Sequence, residues 1–159
     1  MSDIEKLCVK LDEKEYTFEP MKDVIIDKEN FENELYNQAE KYAWAVTVTE
    51  ALHAKANAAD AYVEYVYAKL DAVKREELTK SAVKLTESIV KSAITVDDEY
   101  QAALKGARDA EESYQMMKAF SRALEQRKDM LLQISAFRRK EYDSFVDRAL
   151  TSLKEKGVV

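Results

Sequence analysis

Three tyrosines, Tyr62, Tyr65 and Tyr67, fall within one short stretch, AYVEYVYAKLD (61–71), with Lys69 two places further on. Aromatic rings beside an ammonium group suit one chemistry in particular. Bases of a single-stranded nucleic acid stack on the rings while the cation holds a phosphate, and each stacked base contributes on the order of 1–3 kcal/mol. On a helix, Tyr62, Tyr65 and Lys69 share a stripe that Lys55 extends at one end, and Tyr67 falls between stripes. The same pattern fits a second packing face whose rings other protein covers. On the residues alone, both readings stand.

A second cationic region spans residues 118–140, with seven basic side chains against Glu125 and Asp129. Lys128 and Arg139 share a helix flank there, while Lys118, Arg122 and Lys140 point elsewhere. An oligomer can combine such flanks into one groove for a polyanion; interhelical ion pairs are the alternative use of the same charges. EALH (50–53) is half of a carboxylate-bridged metal motif, but His53 is the single histidine, so one chain cannot supply the second half. A solvated or hydrogen-bonded histidine is expected, with no metal and no cofactor. The sequence carries no glycine-rich phosphate loop and no nucleophile with a base at a matching spacing, so no catalytic residue is assigned and an enzyme is not expected.

The elements that must carry these stripes follow from composition and periodicity. Two glycines and one proline in 159 residues leave almost no turn punctuation, while 47% apolar and 35% charged residues exclude disorder, so an all-α chain is predicted. A single cysteine and the lack of a leader or a long apolar run predict a cytoplasmic protein without disulfides or membrane spans. The formal charge of −6 argues against generic nucleic-acid binding, but residues 1–35 hold 11 acidic and 5 basic side chains and account for the whole excess.

Residues 1–27 are predicted to form an acidic N-terminal arm. SDIE (2–5) reads as a capping box before a short amphipathic helix with Ile4, Leu7, Cys8 and Leu11, followed by an extended segment around Pro20. Residues 28–159 are predicted to form an elongated helical domain. Its first long helix has a seam of Phe31, Leu35, Ala39, Tyr42, Val46, Thr49, Leu52, Ala56, Ala59, Val63, Val66, Leu70 and Val73. Ala56 and Ala59 mark a close approach by a partner helix. The pattern slips at 74–80, which predicts a break or a stutter, and a short helix ends near Ile94. Asp97 and its neighbours then cap a last long helix whose seam includes Leu124, Arg127, Leu131 and Arg138. The expected fold is two long antiparallel helices bridged by a short one, coiled-coil-like, with Ala56, Ala59, Val63, Val66, Leu124, Arg127 and Leu131 forming seams that other copies complete as a homo-oligomer.

Three stretches, taken together, resemble the UvsY family of phage recombination mediators: DVIID (23–27); Trp44 with AKLD (68–71) in register; and TESIVKSAITVDDEYQ (86–101) followed by ALEQRKDM (123–130). The resemblance covers about residues 23–140. It implies a small helical subunit of a ring-like homo-oligomer in the bacterial host cell that binds single-stranded DNA and helps a strand-exchange recombinase replace a single-strand-binding protein. It would make the tyrosine and lysine stripe a DNA surface. The family's DNA-contacting stretch is rich in lysine and arginine, and only Lys69 clearly matches it here; KREELTK (74–80) stands where the family has a glycine-containing loop. The rival reading is a phage helical assembly or scaffold-like protein that binds only copies of itself.

Overall fold

In a computed structural model, which describes residues 6–11, 14–80 and 86–155, the chain is mostly helical. Two strands, β1 (Leu7–Leu11) and β2 (Lys14–Phe18), precede a one-turn helix α1 (Pro20–Asp23). The long helix α2 (Phe31–Lys80), the short α3 (Glu87–Thr95) and the long α4 (Asp98–Glu155) follow. At ~1.5 Å per residue, α2 and α4 run for about 75 and 87 Å. They pack against each other as a helical hairpin: Lys69 reaches Glu99, Thr49 bonds Ser121, and Gln38 bonds the carbonyl of Leu124.

The predicted N-terminal helix is not there: residues 7–11 form a strand. Leu7, Cys8 and Leu11 fit a helical stripe, but Leu7 and Val9 also alternate, and the antiparallel register pairs Leu7 with Phe18 and Val9 with Tyr16. Leu7, Val9 and Phe18 then lie on one face and are buried, while Cys8, Lys10, Glu15 and Thr17 lie on the other and are exposed. A period of two, with β-branched Val9 on β1 and Tyr16, Thr17 and Phe18 on β2, outweighs a period of 3.6 over so short a run. The capping-box residues 2–5 lie outside the described residues. Pro20 opens α1, where its missing N–H costs nothing.

This hairpin is part of the core. Leu7, Val9 and Phe18 pack with Ala45, Val48 and Leu52 of α2 and Met117, Phe120 and Leu124 of α4. It also shifts part of the first half of the α2 seam, where Phe31 is buried and Tyr42 and Val46 are half-buried as expected but other positions are not. Leu35 and Ala39 are exposed, whereas Ala45 and Val48, one position off the predicted stripe, are buried beneath the strands. From Thr49 to Leu70 the stripe holds except at Ala59 and Val63, which are half-buried. Beyond Leu70 the buried stripe rotates: Val73 is exposed, and Leu78 joins a second cluster with Val66, Leu70, Val90, Ile94 and Ala103. Helix α2 is unbroken through Lys80, so the slip is a stutter within it.

Polar contacts fasten the far end. Arg75 grips Glu87 with two nitrogens, at 2.9 and 2.6 Å, and Asp71 with a third, at 2.7 Å. Lys74 pairs with Asp97 at 3.1 Å; their shared hydrogen bond holds the ammonium above, and the carboxylate below, their ordinary ranges. Asp97 accepts from the N–H of Glu99 to start α4, as the sequence led one to expect, and Thr86, which it did not single out, caps α3 through the Ile89 N–H. Asp27 accepts from the N–H of Glu29 and so shapes the turn before α2. Among the described residues, no helix is long and apolar enough to cross a membrane.

Candidate nucleic-acid interface

Tyr62 and Tyr65 lie on the part of α2 that the core does not use. Their side chains are 52% and 63% exposed, with ring centroids 6.2 Å apart and ring planes 28° from parallel. Two parallel rings gripping a base between them would stand about 7 Å apart, twice the usual stacking distance, so a small rotamer change would admit one. Tyr67, the third tyrosine, is different. It is half-buried and meets Tyr100 edge to face at 5.8 Å in the second core cluster. The stretch therefore divides into one packing tyrosine and two free faces.

Lys69 follows Tyr65 by one turn but is not idle. Its Nζ donates to both carboxylate oxygens of Glu99, at 2.7 and 3.0 Å, and this contact holds the ammonium above its ordinary range. Lys55, two turns before Tyr62, donates to the backbone carbonyl of Lys10 at 3.2 Å and so ties α2 to β1. On a neighbouring face, Asp60 and Glu64 join Glu111 and Glu112 around a groove of about 670 Å³ floored by Val63, Leu104 and Ala107. Among the described residues, Arg108 is the one cation lining this groove, so four carboxylates give it an acidic rim.

The remaining cations are elsewhere. Lys128 lies 3.7 Å from Asp129 and lines an apolar groove with Leu35, Tyr42 and Leu132, while Arg139 is exposed further along α4. Since Lys69 meets α4 at Glu99, Lys128 is roughly 40 Å away along that helix. One chain does not bring the six candidate residues into a single patch. Lys55, Tyr62, Tyr65 and Lys69 share a face of α2; Lys128 and Arg139 belong to the opposite end of the hairpin.

The residues expected to form a seam between copies already have neighbours within one chain. Ala56, Val66, Leu124, Arg127 and Leu131 are buried within a single chain, and Ala59 and Val63 are half-buried. Within one chain they lie between α2 and α4, and Val63 also floors the open groove. Arg127 is the centre of a network that sequence reasoning saw only in part. It donates to the Glu34 carboxylate, to the side-chain oxygen of Gln38 and, at 3.3 Å, to the carbonyl of Ile25. Its Nε finds no acceptor among the described residues. Arg138 stacks over Phe31 at 4.3 Å and donates to the carbonyl of Lys28. The EALH histidine stacks on Tyr114 at 4.7 Å, with the planes 17° apart. No protein-family model, curated protein or solved structure matches the chain.

Proposed function

We propose that the chain is the subunit of a homo-oligomeric recombination mediator that binds single-stranded DNA without catalysis or a cofactor of its own. It works in the cytoplasm of a phage-infected bacterial host, helping a strand-exchange recombinase replace a single-strand-binding protein. The observation that carries this reading is the exposed Tyr62 and Tyr65 pair beside Lys69: two large aromatic faces left open in a chain whose third nearby tyrosine, Tyr67, is half-buried in packing. The antiparallel long helices bridged by α3 present that pair on a rigid rod. Lys128 and Arg139, remote within one subunit, extend the track where copies meet.

The surface for meeting is the end of α4. Past Arg138, where Phe31 near the start of α2 is reached, α4 continues to Glu155, and among the described residues every side chain from 139 to 155 except Val146 is exposed. Tyr142, Phe145, Val146, Ala149, Leu150 and Leu153 recur at i, i+3, i+4, i+7, i+8 and i+11, the spacing of a helix face made to be covered. Phe145→Glu is expected to weaken self-association by roughly 30-fold, since truncating or charging an interface anchor costs about 2 kcal/mol or more. Light scattering at micromolar concentration should then give a smaller mass than for the parent. An unchanged mass, or a parent of single-chain mass, contradicts this part of the proposal.

The same uncovered face favours a second reading, a scaffold-like phage protein that binds only itself. A fluorescent oligonucleotide separates the two. The mediator binds single strands with an affinity that falls as salt rises, whereas the scaffold-like protein oligomerises without binding them.

A further inference from the structure

We infer that Glu99 is a built-in competitor for the phosphate site at Lys69, so that this one carboxylate sets how tightly the tyrosine face holds a single strand. The inference rests on the strand-binding reading above and goes beyond it by naming what opposes binding.

The geometry is that of a replaceable partner. Both carboxylate oxygens of Glu99 accept from Lys69 Nζ, at 2.7 and 3.0 Å, the donor-to-oxygen distances a phosphate would offer. The two side chains keep 47% and 41% of their surface in solvent, so exchange needs no opening of the core. An ion pair this exposed is weak and screened by salt, which makes it easy to displace. Other cations nearby are held more firmly: Lys74 lies between Asp97 and Glu77, and Arg75 is gripped by Asp71 and Glu87. When Lys69 turns to a phosphate, Glu99 stays in the first turn of α4, where the helix dipole favours a carboxylate.

Two consequences follow. The internal carboxylate already neutralises Lys69, so strand binding to the parent releases little counterion there. The displaced Glu99 also repels the incoming phosphate, so net affinity is lower than the stacking faces alone would give.

Glu99→Gln keeps the side-chain length and a neutral acceptor for Lys69 while removing the competing charge. Binding of a labelled oligothymidylate is measured at several salt concentrations for the parent, Glu99→Gln, Lys69→Ala and the double variant, with helicity and oligomer mass matched. The expected result is a three- to tenfold tighter complex for Glu99→Gln at moderate salt. Its plot of log affinity against log salt should be steeper by up to about 0.7, the counterion release of one more neutralised phosphate on a single strand. Lys69→Ala should change the parent little and should abolish the gain when combined with Glu99→Gln, a coupling that a purely structural role for either residue would not produce. If the parent binds the oligonucleotide but Glu99→Gln matches it in affinity and slope, the competitor role is wrong and strand binding stands. If neither binds, the strand-binding reading itself has failed.

Discussion

Arg127→Ala is expected to destabilise the fold by about 3–5 kcal/mol, the usual cost of removing one partner from a buried ion pair. At 2–4 °C per kcal/mol for a chain of this size, the melting temperature should fall by roughly 6–20 °C. The arginine side chain is 1% exposed and the Glu34 side chain 17%. Without Arg127, the Glu34 carboxylate and the Gln38 oxygen lose their donor, and the carbonyl of Ile25 loses its link to α4. The large effect comes from what is left unpaired and says little about the net worth of the pair. Replacing Arg127 by Met and Glu34 by Gln together should therefore bring stability back much closer to the parent. Thermal unfolding followed by circular dichroism checks both. A melting temperature for Arg127→Ala within about 2 °C of the parent contradicts the network.

Phe18→Ala should cost a comparable amount, about 3–5 kcal/mol for a buried phenylalanine. Phe18 is 3% exposed, with ring centroids 4.5 Å from Trp44 and 5.4 Å from Phe120, so it is the residue by which β2 holds both long helices. Trp44 is the chain's single tryptophan, which gives the variant an optical signature. Its emission should move to longer wavelength as Phe18 and Tyr16 leave it, together with a lower melting temperature. Unchanged emission and unchanged melting would mean that the β-hairpin does not dock on the helices.

These two residues also mark where the sequence was legible and where it was not. The seam of α4 could be read in its middle, where Leu124, Arg127 and Leu131 are buried as expected, though not at Arg138, which is exposed over the Phe31 ring. The first half of α2 could not. Two partners, α4 and the β-hairpin, cover different sides of it, so its buried positions do not follow a single stripe and polar Gln38 is buried where Leu35 and Ala39 were expected. The strands themselves were hidden because Leu7, Cys8 and Leu11 satisfy a helical spacing, and only the pairing of Leu7 with Phe18 and Val9 with Tyr16 decides between the two periods.

At the candidate interface, the sequence placed Tyr62 and Tyr65 off the seam but left open whether they are exposed or covered, and it gave no sign that Tyr67 packs on Tyr100. The partner of Lys69 did not follow. Glu99 is 30 residues away, and in the sequence it reads as an ordinary acidic residue in the first turn of a helix. The seam residues were assigned to contacts between copies, and the length of a seam does not reveal what it packs on within its own chain. Pairings such as Thr49 with Ser121 and Gln38 with Leu124 supply that information.

The most direct test of the central claim is the affinity of a labelled single-stranded oligonucleotide for the parent and for Tyr65→Ala, measured across a range of salt concentrations at matched helicity and oligomer mass. The account predicts that the parent binds and weakens as salt rises, and that Tyr65→Ala loses roughly five- to 150-fold in affinity, the equivalent of one stacked base at about 1–3 kcal/mol, with nearly the same salt dependence. A parent that does not bind at low salt would contradict it, as would a Tyr65→Ala variant that falls apart into smaller assemblies while its affinity per subunit for the oligonucleotide is unchanged, which would make the tyrosine face an assembly surface.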